Sequence, residues 1–183
     1  MESSLFGLLH LAFGAAGCSS PYLVANFDKE YKPRTKSFAV GPVTASPYEL
    51  EAKKVTEQLR KAIYRELKAR QHQYYVKIQP LGESNRRIHE AGLTDSAFAQ
   101  MLPLELCQLL GVDAVLRGTL VAYQKKRLFL GGVVIVEVAI NHGSLGQMIW
   151  HHKMQKTAQI FGNPAGFLDD MGKKVAKKFP FRE

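Results

Sequence analysis

The sequence predicts an α/β (α+β) fold in the order β-α-β-α-β-β-β-α, with helices packed on a single mixed sheet. Three observations support this prediction. Two segments before Gly111 repeat apolar residues at the three- and four-residue spacing of an amphipathic helix. After Gly111 long β-branched runs alternate with turn residues, as in an antiparallel meander. A third helical pattern closes the chain.

The first half of the chain supplies the β-α-β part. Ser37–Val43 is a short apolar run, and Pro42 is expected to end this first strand. A helix is predicted from Pro47 to about Arg70, because proline is favoured in a first helical turn. Tyr74–Leu81 alternates like a half-buried strand and contains Pro80. The apolar residues at helical spacing in the predicted helix are Val55, Leu59, Ala62, Ile63 and Leu67.

A second helix and the meander follow. One helical turn is expected around Asn85–Glu90, and Thr94 can cap a helix that runs to Gly111. Pro103 is expected to bend or split that helix. The predicted strands are Asp113–Tyr123, Phe129–Ile140 and Gln147–Lys156, with a turn over Asn141–Ser144 and Gly146. A closing helix is predicted to begin at Asn163–Pro164. The apolar residues on one face of this helix are Phe167, Leu168, Met171, Val175 and Phe179.

Length and composition indicate one globular domain. The chain has 183 residues, of which 46% are hydrophobic and 22% charged, so neither disorder nor several domains is expected. The formal net charge is +9, which favours polyanions or anionic membrane surfaces as neighbours.

The first 17 residues read as a signal peptide. Leu5–Ala16 has the length of a signal-peptide apolar region and is too short to span a membrane. The small residues Ala15, Ala16 and Gly17 precede Cys18, whose thiol is predicted to carry the lipid of a lipoprotein. No Lys or Arg precedes the apolar region, and a buried N-terminal helix with Cys18 in the core is the alternative.

Residues 18–35 are predicted to form a lipidated N-terminus and flexible tether, and residues 36–183 a periplasmic α/β domain. The tether segment contains Pro21, Asn26 and Pro33 and shows no sustained periodicity. Cys107, the second cysteine, lies in an apolar helical stretch and is expected to be a buried small hydrophobe.

Three local patterns carry a resemblance to a known family: the strand Phe38–Pro42, the helix-to-strand segment Leu109–Thr119, and a hairpin with glycine before Gln147–Trp150. Over roughly residues 36–181 the chain resembles the periplasmic α/β domain of small envelope lipoproteins and of the curli-secretion lipoprotein. Within that group it is similar to outer-membrane lipoproteins of unassigned activity. The resemblance implies a non-enzymatic protein, anchored by lipid in the outer membrane and facing the periplasm. Such proteins act in secretion, in assembly or as activators of cell-wall enzymes.

The chain departs from the family at two points. Asn141–His142 stands where the group often has an aspartate before the hairpin glycine. The long inserted strands of the secretion lipoprotein are missing from the sequence, which argues against a channel.

Catalytic and metal chemistry are not predicted. His151 and His152 are adjacent on a strand and therefore point to opposite faces, which is poor geometry for one metal ion. No zinc-ligand spacing and no Gly-x-Ser-x-Gly elbow occurs in the sequence. We therefore expect no cofactor, no small-molecule substrate and no nucleic-acid partner.

Two basic clusters are candidate contacts with an anionic surface: Lys125, Lys126 and Arg127 between two strands, and Lys173, Lys174, Lys177 and Lys178 on the last helix. Lysines beside an apolar stripe also fit the charged outer face of a helix packed on the core. The functional hypothesis is a binding or assembly module for an envelope protein, or one that self-associates. The alternative is binding of an anionic envelope polymer, peptidoglycan or exopolysaccharide, through the basic surface.

Overall fold

One six-stranded mixed sheet organises the molecule. The computed structural model describes residues 20–45, 52–124, 133–157 and 164–183. The strand order across the sheet is β1-β6-β5-β4-β2-β3, with β2 parallel to β3 and to β4, and the other neighbours antiparallel. The strands are β1 (Tyr22–Leu23), β2 (Ser37–Ala45), β3 (Lys77–Ile78), β4 (Ala114–Gln124), β5 (Val133–His142) and β6 (Gln147–Thr157). The predicted fold class is confirmed.

Helices pack on both faces of the sheet. The helices are α1 (Ala52–Ala69), α2 (Leu81–Glu90), α3 (Asp95–Gln100), α4 (Pro103–Leu110) and α5 (Pro164–Lys178), with a π-helical turn at Phe27–Tyr31 and a 3-10 turn at Gln71–Gln73. The larger core lies between the sheet and the pair α1 and α5. A smaller core on the opposite face joins α2, α3 and α4 to β2 and the start of β4. In this smaller core, Gly41 of β2 leaves room for the Phe98 ring, because a Cβ there would lie 2.8 Å from its Cζ.

The predicted second helix is two helices. Met101 and Leu102 are extended between α3 and α4, and Pro103 occupies the first turn of α4, where its missing N–H costs nothing. The Thr94 hydroxyl accepts a hydrogen bond from the Ala97 amide at 3.1 Å, which confirms the predicted cap. Gly111 ends α4 in the left-handed conformation, with φ of 65°.

Two predictions between α1 and α3 need correction. Tyr74–Leu81 is not a full strand, since only Lys77–Ile78 pairs with β2. The Gln71 side chain binds the neighbouring backbone instead: it donates to the Val76 carbonyl at 2.6 Å and accepts from the Ile78 amide at 3.0 Å. The single helical turn expected around Asn85–Glu90 is the longer helix α2.

Strand β2 continues through Pro42, where it was expected to end. The pairing register with β4 shifts between Val40 and Val43, so the residue without an N–H sits in an irregular part of the ladder. The Arg60 guanidinium donates to the Val40 carbonyl, with Nη2 at 3.0 Å. Burial lowers the pKa of Arg60 to about 10, so the group is still charged at neutral pH.

The segment before β2 belongs to the fold. Strand β1 pairs with β6 through Tyr22 opposite His151, and Phe27 and Tyr31 are each 3% exposed. The Phe27 ring packs on Phe181 with centroids 5.4 Å apart. The prediction of a flexible tether over residues 18–35 is therefore wrong for residues 22–35. Four parts of the chain that entered the predictions lie outside the described residues: residues 1–19, the predicted helix start at Pro47, residues 125–132, and Asn163 at the predicted start of the closing helix.

Candidate functional site

Among the described residues, part of one sheet face has no helix packed on it. Helices α2 to α4 pack over β2 and the start of β4, and no described residue packs over the outward side of β5, β6 and the middle of β4. We call this surface the open sheet face. Its polar side chains include Arg117, Thr119, Glu137, Asn141, His151, Lys153 and Gln155.

Charges of both signs lie side by side on the open sheet face. The Glu137 carboxylate is 3.0 Å from Lys153 Nζ and 3.9 Å from His151 Nε2. Cross-strand pairing creates this arrangement, because Glu137 on β5 lies directly opposite Lys153 on β6. Part of the face is a shallow depression of about 210 Å³.

Arg117 joins the open sheet face to the helices beside it. Its guanidinium donates to the carbonyls of Ala99 and Met101, at the end of α3. Burial lowers the pKa of Arg117. The neighbouring Leu102 is 64% exposed at the turn between α3 and α4. Arg117 therefore ties the open sheet face to the end of α3.

A groove of about 340 Å³ lies at the end of the sheet where β5 stops and β4 starts. The Asp113 carboxylate on its floor accepts hydrogen bonds from the Lys36 and Ser37 amides, both at 2.8 Å, and so ties the start of β2 to β4. Cys107 is 4% exposed, and burial raises the pKa of its thiol to about 12. A thiol with that pKa is not a nucleophile at neutral pH, so these groups serve structure.

The second basic cluster, Lys173, Lys174, Lys177 and Lys178, occupies the last two turns of α5. Lys173 and Lys177 form one row and Lys174 and Lys178 the next, because residues four apart share a helix face. Lys173, Lys177 and Lys178 are exposed. The acids earlier in α5 bind residues of other elements: Asp169 pairs with Arg65 at 2.7 Å, and Asp170 pairs with Lys156.

The second lysine row lies close to strand β6. His152 on β6 points to the α5 side of the sheet and is 4% exposed. Burial lowers its pKa most, and the nearby charges of Lys178, His151 and Lys174 lower it further. The ion pair between Asp170 of α5 and Lys156 of β6 joins the helix to the half of β6 that β1 leaves unpaired among the described residues.

The remaining predicted site residues, Cys18, Lys125, Lys126 and Arg127, lie outside the described residues. Within residues 20–45, 52–124, 133–157 and 164–183, no three His, Cys, Asp or Glu side chains are grouped to hold a metal ion. No helix in these ranges is long and apolar enough to cross a membrane.

The open sheet face was not predicted from the sequence. Its signal is the alternation along β5, where Val136 and Val138 are buried and Glu137 between them points outward. The same alternation separates His151 from His152. Which face stays uncovered depends on where α2 to α4 pack, and local periodicity does not contain that information.

No family model matches the chain, and no curated protein matches its sequence. Solved structures do share its fold. A PelC dodecamer from Paraburkholderia phytofirmans superimposes with a TM-score of 0.54 and 15% identity, covering 81% of this chain and 89% of that chain. Lipoprotein GNA1162 from Neisseria meningitidis gives a TM-score of 0.51 and 19% identity, covering 78% of this chain and 96% of that chain. The chain therefore has the α/β fold of PelC and of the lipoprotein GNA1162, and at these identities the likeness is one of fold.

Proposed function

We propose that this chain is a non-enzymatic, lipid-anchored accessory module of the bacterial cell envelope that assembles with further copies of itself through the open sheet face. The observation that carries the assembly is the mixture of charges on an uncovered, regular surface. A face that holds Lys153, His151 and Glu137 together is complementary to a second copy of itself, since like charges need not be opposed.

The comparisons support this proposal at the level of fold. One solved structure with the same fold is a dodecamer and another is described as a lipoprotein. The inert Cys107 thiol also favours a binding role over catalysis. The anchor is proposed at Cys18, which follows an apolar region and three small residues. The module would face the periplasm from the outer membrane.

Charge reversal on the open sheet face tests the assembly. We expect the wild-type protein to form oligomers in sedimentation velocity and Lys153→Glu to shift them to monomer, because two acidic groups would then face the partner copy. The matched control is Lys61→Glu, which reverses an exposed lysine that also pairs with a glutamate, on α1. A monomeric wild type would contradict self-assembly and favour a different envelope protein as the partner. Equal behaviour of the two variants would contradict the open sheet face as the assembly surface.

Fatty-acid labelling in a bacterial host tests the anchor. Wild type and the Cys107→Ala variant are expected to incorporate a fatty-acid analogue, and Cys18→Ala is expected to lose it. Because Cys107→Ala also removes a thiol, it shows whether loss of labelling is specific to Cys18. Labelling that persists in Cys18→Ala, or labelling in none of the proteins, would refute the anchor.

A further inference from the structure

We propose that strand β1 and the adjoining lysine row of α5 form the surface by which the domain lies on an anionic lipid bilayer. We call this surface the membrane edge and define it by Tyr22, Leu23, Lys174 and Lys178. The inference rests on the proposed anchor at Cys18 and adds which side of the domain meets the lipid.

The first argument is the length of chain between the anchor and the fold. Only four residue steps separate Cys18 from Tyr22 of β1, and fully extended chain covers at most roughly 14 Å over that distance. The headgroup layer on each side of a bilayer is roughly 5–8 Å thick. A lipid on Cys18 therefore holds β1 within or directly above the headgroups, because residues 22–35 are folded and supply no slack.

The second argument is the direction of the chain. Strand β1 is antiparallel to β6, with Tyr22 opposite His151 and Leu23 opposite Trp150. The residues that precede Tyr22 therefore come from the side of His152. Asp170 of α5 pairs with Lys156 of β6, and Lys174 and Lys178 follow Asp170 by about one and two helical turns. Because Lys156 lies beyond His152 on β6, the lysine row continues from the side from which the anchor segment enters.

The third argument is the exposure of both β1 side chains. Neighbouring residues of a strand point to opposite sides, yet Tyr22 is 52% exposed and Leu23 is 44% exposed. About half of each residue's surface is therefore open to solvent. A half-exposed tyrosine and leucine on an edge strand, with a lysine row on the helix that contacts β6, match the depth profile of a bilayer surface, where Tyr lies among headgroups and Lys attracts anionic lipid.

Depth-dependent quenching tests this orientation. The full chain is expressed in a Gram-negative host, extracted, and reconstituted into phosphatidylcholine–phosphatidylglycerol vesicles whose acyl chains are brominated. Tyr22→Trp reports on the membrane edge, and Leu102→Trp is the matched control on the exposed turn between α3 and α4. The native Trp150 is 1% exposed and gives the same background in both proteins. We expect loss of tryptophan emission in Tyr22→Trp and none in Leu102→Trp.

The lysine row is tested in the same vesicles. Combining Lys174→Glu and Lys178→Glu with Tyr22→Trp is expected to reduce the quenching on anionic vesicles and to leave it unchanged on pure phosphatidylcholine. Lys54→Glu with Lys61→Glu, two exposed lysines of α1, is the control pair and is expected to change neither. Trp150 emission reports whether each variant is folded.

The outcomes separate this inference from the anchor. Acylated, vesicle-bound protein with equal quenching at positions 22 and 102, or with no quenching at position 22, overturns the membrane edge and leaves the anchor intact. Protein without acyl label that remains in the aqueous phase refutes the anchor, and the inference with it. The lysine variants are also tested for salt-sensitive sedimentation with peptidoglycan sacculi. If they lose this sedimentation while the quenching is unchanged, the lysine row binds a polymer, and the proposal is overturned.

Discussion

Two histidine side chains are buried with one ring nitrogen that lacks a hydrogen-bond partner among the described residues. These atoms are His142 Nε2 and His152 Nδ1. Burial is the largest cause of the lowered pKa of each ring. For His142 the nearby Asp113 acts in the opposite direction and Arg34 in the same direction as burial. Burial in the fold therefore favours the neutral form of both imidazoles.

This burial makes stability depend on pH. Below the unfolded-state pKa of about 6.5 the unfolded chain binds more protons than the folded chain, so the free energy of unfolding falls as the pH falls. Above pH about 6.5 both rings are neutral in the folded and in the unfolded chain, so the free energy of unfolding keeps its full value. We expect the urea midpoint of wild type to decrease from pH 7.5 to pH 5 and the decrease to be smaller in His142→Gln combined with His152→Gln. Tyr31, whose ring packs edge-on against His142, is kept in all proteins.

The matched control for this titration is His72→Gln, which changes an exposed histidine in the 3-10 turn. It is expected to show the wild-type pH dependence. If the double variant retains the full wild-type slope, the buried histidines are not its source.

At the scale of elements, the segment over residues 22–35 is the clearest departure from the predicted organisation. Its core contact is Phe27, which is 3% exposed and packs on Phe181. We expect Phe27→Ala to lower the free energy of unfolding in urea by about 3–5 kcal/mol, the usual cost of removing a buried phenylalanine. Leu23→Ala, which truncates a half-exposed residue of β1, is the control and is expected to change it much less. A Phe27→Ala protein as stable as wild type would support the prediction that this segment is a flexible tether.

The sequence did contain a signal for this segment. Phe27, Tyr31 and Thr35 are four residues apart and all are buried, which is helical spacing. Pro33 and the charged residues between them concealed it. Helix α2 was underestimated for a related reason. Arg86 pairs with Glu83 and Glu90, three and four residues away on the helix, and apolar periodicity does not register such pairs.

At the scale of the whole molecule, the element order was predictable and the surfaces were not. The change of period after Gly111, the Thr94 cap and the glycine-rich hairpin are local features, and each was predicted in place. The pairing of Tyr22 with His151 joins residues far apart in the chain, so no local pattern reports it. The same holds for Arg117, which binds carbonyls at the end of α3. Both the open sheet face and the membrane edge are products of such long-range placement.

The contact between Phe27 and Phe181 has a consequence for biosynthesis. Because these residues are far apart in the chain and share one aromatic cluster, that cluster cannot be completed until residue 181 has left the ribosome. Until then, the residues synthesised before residue 181 remain an incompletely folded nascent chain. The proposed signal peptide implies export as an extended polypeptide, and we expect the late completion of this cluster to keep the precursor competent for that transport.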